Sequence, residues 1–100
     1  MTHSVFFWLN PNLSRVELDT FEAEAQKLLS IPVVQDGSVA TSADTPERPV
    51  TDKSFSYALQ LNFASVDDHN TYQDHPDHHH FVHACKSFWD KVVVYDTNPV

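Results

Sequence analysis

Six of the seven histidines of this chain fall between His69 and His83, and four of them lie in the run Tyr72-Gln-Asp-His75-Pro76-Asp-His78-His79-His80. Histidine is the side chain whose ordinary pKa lies nearest neutrality, and it is also the commonest metal ligand. A tyrosine beside it adds a hydroxyl that can donate to a developing oxyanion. The tract can therefore serve proton transfer, metal binding or a polar helix surface, and the elements that carry it decide among these.

Pro76 suits the first turn of a helix, which the pattern extends to about Phe88. His78, Phe81, Val82, Cys85 and Trp89 recur at spacings of three and four and form one face. The apolar members of that face must look into the core, so His78 is the histidine that enters the interior. His79, His80, His83 and Lys86 fall on the opposite side, and His75 sits at the helix entrance. Tyr72 ends a preceding short helix, Val66 to Gln73, which Ser65 can cap.

An inward imidazole needs a hydrogen-bond partner, because a buried unpaired one is costly. Tyr72, Tyr57 and His3 are the polar candidates. The functional reading is a small apolar cavity, lined by Val5, Phe7, Leu59, Phe81 and Val82 with His3 and Tyr57, in which His78 acts as general base and Tyr72 assists. The structural reading is a satisfied core histidine. His79 and His83 are spaced to chelate a metal on one helix face, with His75 or Asp77 as an added ligand. They lack a fixed third ligand, and the helix lacks the glutamate of the metalloprotease pattern, so no metal or cofactor is expected.

The remaining elements are plainly punctuated. His3 to Leu9 is a strand with large apolar groups on both faces. Ser14 and Glu17 make a capping box for a helix whose stripe is Phe21, Ala25, Leu28 and Leu29, with Leu13 and Leu18 spaced as a hydrophobic staple. Ser30 and Pro32 stop it. Val33 to Ala43 reads as an irregular edge strand broken near Asp36-Gly37, and 44–53 as an exposed loop. Phe55, Tyr57, Leu59, Leu61 and Phe63 alternate along a third strand. Val92 to Tyr95 is the last strand.

The order β-α-β-β-α-β is the ferredoxin-like pattern of the α+β class, a four-stranded antiparallel sheet in one domain spanning 1–100. Helices cover one face of such a sheet. Phe6 and Trp8 need a cover on the other, and a second copy of the chain supplies one, giving a homodimer through that face. The formal charge of −8 argues against nucleic acid or anionic membrane as partner. Cys85 is the only cysteine, so no internal disulfide forms, and the expectation is a cytoplasmic protein. The inner stripe makes Cys85 a small core residue.

Taken in order, His3-x-Val5-x-Phe7, Ile31-Pro32, Leu61-x-Phe63-x-Ser65, Tyr72-x-x-His75-Pro76-x-His78, Phe81-Val82 and Phe88-Trp89-x-Lys91-Val-Val-Val-Tyr95-Asp96 resemble the stress-responsive dimeric α/β-barrel (Dabb) family over nearly the whole chain. The resemblance implies a ferredoxin-like fold that dimerises sheet to sheet. It implies little about activity, since most members have none assigned. A plant polyketide cyclase of the family closes a linear thioester by aldol condensation with a His base and an assisting Tyr, at positions similar to His78 and Tyr72. Its first-strand histidine matches His3, while another of its pocket histidines falls where this chain has Tyr57. The expected function is a small-molecule pocket for a carbonyl-bearing or aromatic compound, with cyclase- or lyase-like acid–base chemistry. The alternative is a non-catalytic stress-response or ligand-binding protein.

Overall fold

The computed structural model describes residues 1–100. Strand β1 (Thr2–Leu9) is followed by α1 (Arg15–Leu28), β2 (Asp36–Ala40), β3 (Tyr57–Asn62), α2 (Val66–Asp74), α3 (Pro76–Cys85) and β4 (Trp89–Thr97), with a single 3-10 turn at Lys86–Phe88. The four strands form one antiparallel sheet in the order β2-β3-β1-β4. This is the ferredoxin-like α+β architecture the element order predicts.

The pleat of β1 divides the molecule into two sides. His3, Val5, Phe7 and Leu9 are buried toward the helices, while the residues between them are half-buried on the other face. The helix side is closed by Phe21, Ala25 and Leu28 of α1 and by Phe81 and Cys85 of α3, all nearly inaccessible. The capping box of α1 is complete. Ser14 Oγ accepts from the Glu17 amide at 3.1 Å, and Glu17 Oε1 accepts from the Ser14 amide at 2.9 Å. Leu13 and Leu18 pack partly buried against the core. Phe21 meets Phe7 with ring centroids 5.1 Å apart and Phe81 at 5.9 Å, so one aromatic cluster joins sheet, α1 and α3.

Three boundaries depart from expectation. The final helix does not run to Phe88. It ends at Cys85, because β4 starts at Trp89, opposite Leu9, and the Phe88 carbonyl accepts from the Asn10 amide at 2.9 Å. Trp89 still reaches Phe7 and Phe81, at 5.6 and 6.0 Å, but from the sheet. Asp36-Gly37 does not break β2. Both residues pair, with Asn62 and Leu61. A Cβ at Gly37 would stand 2.4 Å from the Gln60 carbonyl oxygen and 2.7 Å from Leu61 Cδ2, so glycine permits a close approach of two strands. Phe55 leaves the alternation of β3. A bend at Ser56, whose amide donates to the Phe7 carbonyl at 2.7 Å, sends Phe55 to the opposite face, 5.2 Å from the ring of Phe6.

Candidate active site

The register of β1 against β4 pairs His3 with Asp96, ninety-three positions later in the chain. In an antiparallel sheet opposed residues share a face, so both turn toward the helices. His3 is buried to 4 % exposure, and its Nδ1 lies 2.5 Å from Asp96 Oδ1. Burial is the larger influence and lowers the His3 pKa, with Asp96 opposing it.

Helix α2 approaches the same point. Ser65 caps it by accepting from the Asp68 amide at 3.1 Å. His69 and Tyr72 stand three residues apart, on one helical face. Their rings lie 4.7 and 5.9 Å from that of His3, and Phe63 completes the wall at 5.2 Å from Tyr72. Tyr72 is 1 % exposed. Burial alone raises its pKa well above that of a free phenol, so it stays protonated at neutral pH and keeps a hydroxyl proton to donate.

His78 arrives from α3. His75 ends α2 and begins α3, its Nδ1 accepting from the Asp77 amide at 3.0 Å, and Pro76 occupies the first turn. One turn of helix then sets the His78 ring 4.9 Å from that of Tyr72, edge to face. His78 is half-buried, and its Nδ1 is one of three buried side-chain atoms without a hydrogen-bond partner, with Thr51 Oγ1 and Trp89 Nε1. Burial, then the fields of His79 and His3, lower its pKa, while a hydrogen-bonding contact of the ring with the Gln73 backbone raises it. A neutral imidazole beside a protonated phenol is the state required of a base and its partnering donor.

The other expected residues divide. Val5, Phe7, Leu59 and Phe81 are buried core and Val82 packs half-buried against it. Tyr57 is buried but lies away from Tyr72, against Phe21 at 4.9 Å, with its hydroxyl donating to Glu22 and its pKa raised to about 12, mainly by burial. It opens onto a cleft of about 620 Å³ between α1 and β2, lined also by Asp19, Gln26 and Val39. None of the five main cavities is lined by His78 or Tyr72. The hollow expected beside the imidazole is thus absent from that set, because aromatic rings pack around the pair.

The metal candidates sort differently from the spacing argument. His75 is occupied as a cap, and His79 and His83 are exposed with no third ligand gathered to them. The side chains that do converge are His3, His69 and Asp96. His69 and Asp96 were not singled out by sequence. The available signals were the helical spacing of His69 to Tyr72 and the two-residue alternation Val92, Val94, Asp96, and neither reveals a strand register.

Residues 1–99 match the Dabb family, the Stress responsive A/B Barrel Domain. A Dabb family protein with a ferredoxin-like fold from Mesorhizobium loti superposes with TM-score 0.80 at 27 % identity, over 99 % of this chain and 95 % of that one. The hydroxynitrile lyase of Passiflora edulis gives 0.77 at 24 % identity, over 98 % and 95 %. A dimeric ferredoxin-like protein of unknown function from Thermobifida fusca gives 0.76 at 18 %, over 94 % and 85 %. No functionally curated protein matches the sequence. No helix is long and apolar enough to cross a membrane. With its strand order, its two-sided first strand and a family match over all but the last residue, the chain belongs to the Dabb stress-responsive A/B barrel family.

Proposed function

We propose that this protein is a homodimer, one Dabb-type domain per protomer, with an acid–base site for a small carbonyl-bearing or aromatic compound. His78 is the base and Tyr72 the hydrogen-bond donor. The observation that carries this reading is the buried, unpartnered Nδ1 of His78 beside a phenol that burial keeps protonated. Such an atom costs folding free energy unless something pairs with it, and a bound substrate hydroxyl is a suitable partner. Cyanohydrin cleavage illustrates the chemistry. The imidazole takes the hydroxyl proton, the carbon–cyanide bond breaks as the carbonyl forms, and the proton passes to the departing cyanide. Tyr72 donates to the oxygen throughout. The likeness in fold to a hydroxynitrile lyase and the family resemblance to a polyketide cyclase support this class of reaction.

The dimer reading rests on the uncovered sheet face. Phe6, Trp8, Phe55 and Val93 line a groove of about 390 Å³ there, with Lys91 Nζ 4.6 Å from the Trp8 ring centre. The relative from Thermobifida fusca is described as dimeric. The acidic charge speaks against nucleic acid and membrane partners, and the lone buried Cys85 suits a reducing cytoplasm.

The test is cleavage of mandelonitrile, followed as benzaldehyde absorbance, in wild type, His78→Gln and Tyr72→Phe. Turnover above the uncatalysed rate that falls at least about a hundredfold in His78→Gln supports the base. A specific observation favours a second reading, a non-catalytic ligand-binding or stress-protection protein: no main cavity borders the pair. Absent turnover of mandelonitrile and of aromatic ketone α-proton exchange in D2O would leave that second reading standing.

A further inference from the structure

We infer that His3, His69 and Asp96 bind one divalent transition ion of the zinc class, with solvent completing its coordination. This does not rest on the acid–base reading, whose base and donor are His78 and Tyr72 and which needs no ion, though His3 borders both groups.

One donor atom from each of the three side chains lies within 4.8 Å of the other two. The three come from three separate elements, β1, α2 and β4, so their meeting is a product of the fold and not of local sequence. His3 and Asp96 are held on paired strands with Nδ1 and Oδ1 2.5 Å apart. Rigid elements of this kind position ligands better than loops do. Tetrahedral coordination with bonds of about 2.0–2.2 Å sets donors roughly 3.4 Å apart. Modest rotations reach that spacing, and the two side chains that must rotate, half-buried His69 and exposed Asp96, have room.

Two features complete a metal site. A cavity of about 310 Å³ opens beside the cluster, lined by His69, Asn70, Asp96 and Asn98 among others, and gives an ion and its water a path from solvent. His69 is oriented from outside, with Nδ1 3.2 Å from Asn70 Oδ1 and Nε2 3.4 Å from Gln73 Nε2. A ligating histidine usually gives its other ring N–H to a carboxylate, backbone carbonyl or water; here the Asn70 amide oxygen takes that place, and the longer Gln73 contact is the one that yields. The donor set selects the ion. Two imidazoles and one carboxylate suit zinc, cobalt or nickel, whereas magnesium and calcium favour oxygen ligands. Three protein ligands with an open fourth position is the arrangement of catalytic rather than structural zinc.

The test uses untagged protein stripped with EDTA and titrated with CoCl2 and then ZnCl2, reading the visible cobalt spectrum, calorimetric stoichiometry and Tm. The expected result is one ion per protomer, a cobalt band displaced by zinc, and a rise in Tm with zinc. His69→Gln and Asp96→Asn, both at accessible positions, should each weaken binding at least about tenfold while the circular dichroism spectrum is unchanged. The His79→Gln/His83→Gln double variant should bind as wild type does. No stoichiometric binding by wild type, or binding lost in the double variant and kept in His69→Gln, would overturn the assignment.

Discussion

Replacing His78 by Leu should stabilise the protein. The change removes a buried Nδ1 that has no partner, and an unsatisfied buried polar atom costs roughly 1–3 kcal/mol. Leucine also exceeds histidine in helix propensity by a few tenths of a kcal/mol at this position inside α3. Against these stand the loss of the ring contact with Tyr72, the loss of the imidazole's contact with the Gln73 backbone and some newly exposed apolar surface, since the site is only half-buried. The net expectation is about 1–2 kcal/mol of added stability. At about 4–8 °C per kcal/mol for a domain of this size, Tm rises by roughly 5–15 °C. Urea unfolding at pH 8, at one protein concentration and with EDTA present, measures it. The pH dependence supplies a second reading of the same residue. Its pKa is lower folded than unfolded, so the unfolded chain takes up the proton first as pH falls. The contribution of neutral His78 is therefore whole above about pH 6.5 and is lost as pH drops through the folded value. His79, His3 and His69 also act on this ring, so the comparison with the variant, and not the wild-type curve alone, isolates its contribution. The difference between wild type and His78→Leu should widen below pH 6.5. A variant less stable than wild type at pH 8 by 1 kcal/mol or more would refute the reasoning. It would mean that the imidazole's contacts with Tyr72 and the Gln73 backbone outweigh the cost of the unpaired Nδ1.

Gly37→Ala should cost about 1–3 kcal/mol, because the added methyl meets backbone of β3 that cannot move aside; chemical denaturation checks it, and a neutral effect would show that β2 shifts freely. Cys85, fully buried with its pKa pushed up to about 11 chiefly by desolvation, should resist iodoacetamide at pH 8 in the folded protein and react at once in urea. Trp8→Glu should convert the proposed dimer to monomer in light scattering, with a charge placed in the apolar groove of the open sheet face; a retained dimer would move the interface elsewhere. Ser14→Ala should lower stability by about 1 kcal/mol through loss of the Oγ that accepts from the Glu17 amide, the backbone-donated half of the capping box remaining, read from the urea midpoint.

Local rules in the sequence determined most of the architecture. Alternation in β1, the capping box at Ser14 and Glu17, the stripe through Phe21, Ala25 and Leu28, and the proline at the start of α3 each act within a few residues, and each element formed where its pattern lies. The same local geometry turned His78 inward and left His79, His80 and His83 outside. Register and packing were decided only in three dimensions. Nothing near Asp96 announces that it will face His3, because that depends on how two strands at opposite ends of the chain align. Nothing near His69 announces that its helix will lay it on His3. Tyr57 shares a strand face with the core, yet a separate cleft claims its hydroxyl through Glu22, a partner thirty-five residues away. Helix termini and periodicities arise from backbone bonding over one or two turns, so they are legible in order along the chain. Which side chains share a hollow depends on long-range strand alignment and on how aromatic rings fill the space between layers, and that is where the candidate site took its actual membership.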